Sequence, residues 1–100
     1  MTKEAWDNRD YAFQYSNIGG EFIREARKFH QGRSMDIDPK VLELVQRLYE
    51  WTINNPENKE RVEELKEAYE LSIDFFRDNS RKLSLEELTE MWNKYLHENV

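Results

Sequence analysis

A chain of 100 residues with 15 basic and 21 acidic side chains, formal charge −6, is one domain at most. Its 38% apolar and 13% aromatic content is too high for disorder, and 3 glycines with 2 prolines are too few for a turn-rich all-β domain. Without cysteine there is no disulfide staple, cysteine-based zinc site or thiol nucleophile, and no apolar run reaches the ~18 residues of a membrane span.

Residues 1–32 read as an N-terminal helical segment. The opening MTKEAWDNRD has neither the basic patch nor the apolar stretch of a signal peptide, so a cytoplasmic, membrane-free location is expected. Tyr11, Tyr15, Ile18, Phe22, Ala26 and Phe29 are spaced four, three, four, four and three, which puts them within an arc of about 80° on one helix. The phase runs through Gly19-Gly20. Two mid-helix glycines cost about 2 kcal/mol relative to alanine, so a continuous helix needs compensation there. Gly19, beside the stripe, leaves room for another backbone. A helix continuous or gently kinked through the pair is expected, with a full turn at Gly19-Gly20 as the alternative. Gln31-Gly32 ends the element and residues 33–37 form a loop.

Unbroken from Lys3 to Gln31, this helix would be roughly 43 Å long. A compact domain of this size has a radius of gyration near 13 Å and a diameter of about 33 Å. The helix would therefore overhang, and an overhang carrying Trp6, Tyr11 and Phe13 would pack on a second copy or a partner. A homodimer seamed by Tyr11, Tyr15, Ile18, Gly19 and Phe22 is the expectation. On the opposite face Trp6, Arg9, Phe13, Arg24, Arg27 and Gln31 bring together aromatic and arginine side chains typical of interface hot spots, a candidate partner-binding surface. The same residue types stack on bases and pair with phosphates, which makes a nucleotide or nucleic-acid binder an alternative. The net acidity of the chain repels a polyanion, so nucleic acid is not the expected partner.

Residues 38–98 read as a three-helix antiparallel unit. Asp38-Pro39 starts the second helix, with Asp as N-cap and Pro in the first turn. Val41, Val45, Leu48 and Thr52 form its stripe, and Asn54-Asn55-Pro56 stops it and starts the third with Asn55 as cap. Val62, Leu65, Tyr69, Ser72, Ile73 and Phe76 face the core along the third helix, which should end near Asp78-Asn79. Ser84-Leu85-Glu86-Glu87 is a capping box, flanked by Leu83 and Leu88 as a hydrophobic staple, and starts a fourth helix running to about Glu98. The expected fold is thus all-α: a single four-helix, bundle-like domain over residues 1–100, with a long or kinked first helix and three antiparallel C-terminal helices.

All the excess acid lies after residue 40. Residues 1–40 carry 7 basic and 7 acidic groups, residues 41–100 carry 8 and 14. Glu63-Glu64-Leu65-Lys66-Glu67 on the third helix and Glu86-Glu87-Leu88-Thr89-Glu90 on the fourth repeat an E-E-x-x-E pattern. Glutamates one turn apart can ligate Mg²⁺, which could hold nucleotide phosphates. That gives a metal-dependent nucleotide hydrolase as the enzymatic alternative, with Glu63, Glu64, Glu67, Glu87 and Glu90 as ligands. These glutamates point away from the apolar stripes, so a solvated face is the simpler reading. A di-iron bundle needs Glu-x-x-His, whereas Arg27 precedes His30 and Lys94 precedes His97. An EF-hand read over residues 76–87 has Phe76 and Arg81 where Asp and Gly are required. Gly19-Gly20 is no phosphate loop, and His30 reads as an exposed helix-end histidine. With no catalytic set and no implied cofactor, the expected function is a small acidic, non-enzymatic protein–protein interaction module, a regulator or inhibitor acting on a partner protein.

Overall fold

A computed structural model describes residues 1–33 and 36–95. These form an all-α bundle with five helices in chain order: α1 (Lys3–Asp7), α2 (Tyr11–His30), α3 (Pro39–Ile53), α4 (Val62–Phe76) and α5 (Leu85–Trp92). Short 3-10 turns at Pro56–Asn58 and Asn93–Tyr95 precede α4 and follow α5.

The first helical segment is two helices. Asn8 closes α1, and Asp10 caps α2 by accepting a hydrogen bond from the Phe13 N–H at 2.8 Å. A helix end leaves carbonyls without partners. Here Gln14 adds donors: its Nε2 donates to the Arg9 carbonyl (3.2 Å) and to the Trp6 carbonyl (2.8 Å), which also accepts from the Arg9 N–H (3.0 Å). The break sits at residues 8–10, and α2 runs straight through Gly19-Gly20. Twenty residues make a helix of about 30 Å, which fits inside a molecule measuring 37 × 25 × 25 Å. The expected 43 Å helix and its overhang are therefore absent. Gly32, at φ +74°, ends α2 in the left-handed conformation that glycine adopts without strain.

Buried polar side chains fix how the helices meet. The Trp6 indole Nε1 donates to Thr52 Oγ1 (2.9 Å), and that hydroxyl donates to the Leu48 carbonyl (2.7 Å). Asn58 Nδ2 donates to Gln14 Oε1 and to the Thr52 carbonyl, both at 3.0 Å. This network pins the α1–α2 corner and the 3-10 turn to the end of α3. It also explains why α4 starts at Val62 rather than at Pro56: Asn55 does act as a cap, but for the turn that carries Asn58 inward. Glu25, also buried, accepts from the Asp38 N–H (2.9 Å) and pairs with Lys28 (3.0 Å), anchoring the start of α3 to α2.

The core is aromatic. Phe22 stacks on Trp92 with ring centres 5.7 Å apart, and Tyr49 of α3 stacks on Tyr69 of α4 at 4.0 Å. Gly19 is the notch that seats Trp92. A Cβ on Gly19 would lie 2.5 Å from the Trp92 Cβ, so only glycine allows α5 to approach α2 this closely. The Trp92 indole then donates to Ser72 Oγ of α4 at 2.7 Å. The capping box at Ser84 and Glu87 forms as read, with both reciprocal hydrogen bonds at 3.0 Å. α4 ends at Phe76, two residues early, where Asn79 takes a left-handed conformation (φ 45°) and pairs its side chain with the Leu83 backbone. The remainder of the expected fourth helix, beyond residue 95, lies outside the described residues.

Candidate functional site

Along α4, Glu64, Glu67, Leu71 and Asp74 follow one another at helical spacing and occupy one face, clear of the stripe that enters the core. α5 presents Glu90 and Met91 opposite them, with Lys94 just beyond. Glu64, Glu67 and Leu71 on one side and Glu90, Met91 and Lys94 on the other, together with Tyr15 and Ala68, bound a groove of about 440 Å³. A second recess of about 200 Å³, lined by Glu67, Glu70, Leu71, Asp74, Ser80 and Arg81, shares Glu67 and Leu71 with the first. The two form one trough. Ala68, Leu71 and Met91 give the larger recess an apolar floor, Leu71 is the apolar residue of the smaller, and the walls carry five carboxylates against two cations, Lys94 and Arg81.

Leu71 is the distinctive residue. It is half-buried, yet it lies outside the core cluster of the described residues, at the point where the two recesses meet. At one end of the trough Glu64 accepts hydrogen bonds from the Lys94 ammonium and the Tyr95 hydroxyl. Partial burial pushes its carboxyl upward, but these two bonds and the Lys94 charge outweigh it and hold the group below the ordinary 4.5. Tyr15 closes the floor, donating from its hydroxyl to the Met91 carbonyl at 3.1 Å. Burial first, and then the charges of Glu64, Tyr95 and Glu67, raise the Tyr15 phenol far above its ordinary range; Tyr11, which donates to the Arg61 carbonyl at 3.0 Å, is raised likewise by burial and Glu64. Glu67, Glu70 and Glu90 have no ion pair among the described residues.

The residues expected to form a self-association seam lie inside the monomer. Tyr11, Tyr15, Ile18, Gly19 and Phe22 are all buried, against α5 and its neighbours, so the partner that Gly19 admits is Trp92 of the same chain. The physical grounds for a homodimer, an overhanging helix with an exposed aromatic load, are gone with them.

The expected partner face divides at the α1–α2 corner. Trp6 is 2% exposed and bonded to Thr52, so it belongs to the core. Arg9 lies over the Phe13 ring at 4.3 Å, and Phe13 packs on Trp6 at 6.1 Å. Arg24, Arg27 and Gln31 are exposed farther along α2, the first of them about 17 Å from Phe13 by helical rise. Arg24 pairs with Glu21 at 3.0 Å, Arg27 borders a shallow recess with Leu85 and Glu90, and Gln31 caps α2 and bonds to Arg33. No single surface holds all six.

The glutamates of the metal reading have separate duties. Glu63 is exposed and pairs with Lys66 at 3.4 Å, Glu64 is held by Lys94 and Tyr95, and Glu87 completes the capping box. Glu67 and Glu90 lie off the buried stripes as expected, yet border the same groove. Among the described residues no three Asp, Glu or His side chains are placed to hold a metal ion. His30 is exposed beside Phe29 and Phe75, and His97 lies outside the described residues. Among the described residues no helix is long and apolar enough to cross a membrane.

Sequence reasoning missed Leu71, Met91, Asp74 and Lys94 as neighbours. The expected core stripe of α4 leaves out two large apolar residues, Leu71 and Phe75; Phe75 joins the core and Leu71 does not, a difference that the sequence alone does not mark. Compared with family models, curated proteins and solved structures, the chain matches none.

Proposed function

We propose that this chain is a small interaction module that binds a partner protein through the α4–α5 trough and acts as a regulator or inhibitor by occupying the partner's surface. One observation carries the reading: Leu71, an apolar side chain held between two recesses, outside the core, and ringed by carboxylates. An apolar centre inside a polar rim is the usual anatomy of a protein interface. The polar groups buried elsewhere, Gln14, Glu25, Thr52, Asn58 and Ser72, are engaged in hydrogen bonds that hold helices together. An acidic chain without cysteine suits a reducing compartment, and we place its action in the cytoplasm.

The test is affinity capture from the native host with the wild-type chain and with Leu71→Ser as baits. A partner retained by the wild type and lost with the variant supports the reading, provided circular dichroism shows the variant folded. Partners retained equally by both overturn it. Pyrophosphate release from a nucleotide mixture that depends on Mg²⁺ or Mn²⁺ would replace it with the hydrolase alternative.

A further inference from the structure

We infer that the occupant of the trough is a basic amphipathic helix of the partner, seating one apolar side chain on Leu71 and Met91 and placing lysine or arginine against Glu67, Glu70 and Glu90. This rests on the reading of the trough as a protein-binding site and names the chemistry of what fills it.

Charge complementarity selects the sign. Five carboxylates line the trough against two cations, and one of those cations, Lys94, is already paired with Glu64. Asp74 accepts a hydrogen bond from the Ser80 hydroxyl at 3.0 Å. Glu67, Glu70 and Glu90 face solvent, and neither they nor Asp74 make an ion pair among the described residues. An acidic segment or a nucleic-acid backbone would meet like charge on both walls and be repelled.

The spacing selects the shape. Glu67 and Asp74 stand seven residues apart on α4, about 10 Å by helical rise, with Leu71 between them. A helix lying along this groove presents side chains at i, i+3 or i+4, and i+7 over the same length, so the sequence it calls for is basic–apolar–basic at that period. The groove runs between two helices, the position that a further helix takes in a bundle. Specificity comes from the carboxylates, affinity from the apolar contact at the centre.

The experiment titrates the full chain, carrying ¹³C-methyl methionine, with a synthetic peptide that has lysine at i and i+7 and leucine at i+3 and i+4. Controls are the same composition with the helical phase scrambled and the same pattern with glutamate for lysine. The Met91 methyl should shift while that of Met1 does not, and the peptide should gain helicity on binding. Raising salt from about 50 to about 200 mM should weaken binding several-fold, and Glu67→Lys with Glu90→Lys should weaken it at least about tenfold. Both positions are surface carboxylates, and circular dichroism verifies that the double variant folds.

A silent Met91, equal binding of the scrambled or acidic peptide, or binding without gained helicity overturns the inference. Sedimentation of the chain alone covers a second copy as occupant: self-association abolished by the same charge reversals would also overturn it. The two levels separate cleanly. If a host partner is lost with Leu71→Ser yet the basic peptide leaves Met91 unmoved, the docking site stands and its basic occupant falls. If the basic peptide binds but no host partner depends on Leu71, the site's role as a partner surface falls.

Discussion

Adjacent glycines in α2 have opposite surroundings, and their substitution should have opposite signs. At Gly19 an added methyl group would meet the Trp92 side chain at 2.5–2.6 Å, whereas at Gly20 it meets nothing within 4 Å. Gly20→Ala should therefore stabilise by up to about 1 kcal/mol through helix propensity alone. Gly19→Ala gains the same propensity but drives Trp92 out of its notch, and overpacking of about 1–3 kcal/mol should win. Urea melts of the two variants check both signs; a stabilising Gly19→Ala would mean that α5 does not dock as described. Thr52 offers a second single-residue test. Its hydroxyl accepts the only hydrogen bond that the buried Trp6 indole makes among the described residues. Thr52→Val keeps the shape and removes the acceptor, so a loss of about 1–3 kcal/mol is expected in the same melts.

At the scale of elements, the legible boundaries were those set by local chemistry. Pro39 opens α3, and the Ser84–Glu87 pair opens α5, because each cap is made by residues within three positions of the helix start. Ser84→Ala should accordingly cost about 1 kcal/mol, measured by denaturant melting, and a neutral result would contradict the cap. The α1–α2 break was hidden because neither Gly nor Pro marks it. Asp10 is a sound N-cap, but Gln14 makes the break stable by reaching back to the carbonyls of Trp6 and Arg9 while Asn58 holds its other end. That part of the arrangement is long-range and has no sequence period. The same holds for Gly19: a notch could be read from its place beside the stripe, but not that Trp92 fills it. Periodicity identifies buried faces without pairing them. The trough was illegible for this reason, since it needs Glu67 and Leu71 from one helix and Glu90 and Met91 from another.

For the whole molecule, two sets of groups bound the pH range of stability. Glu64 ionises more readily in the folded chain than its ordinary 4.5, so the stability it contributes is present above that value and fades as the pH falls through the lowered one. Tyr11 and Tyr15 are raised far above their ordinary 10.0, so their contribution is intact below pH 10 and is lost as the pH climbs beyond it. Urea midpoints across pH should fall at both ends, and Glu64→Gln should flatten the acid limb while leaving the alkaline one in place. If the acid limb is unchanged in that variant, the bonds to Lys94 and Tyr95 are not made in solution. The Tyr15–Met91 hydrogen bond also has a consequence in time. Its ends are 76 positions apart, and a ribosome adding about 5–20 residues per second needs roughly 4–15 s to cover that distance. For that interval α2 exists without the helix that covers its Tyr15–Gly19–Phe22 face, and most of a helix's stability in a protein comes from packing its apolar face. Nascent chains arrested before α5 has emerged should remain sensitive to protease, with Tyr15, Ile18 and Phe22 open to chaperones, and protection should arrive in one step once Trp92 can reach Gly19. Protection appearing before that point would mean that the first four helices close a core without the fifth.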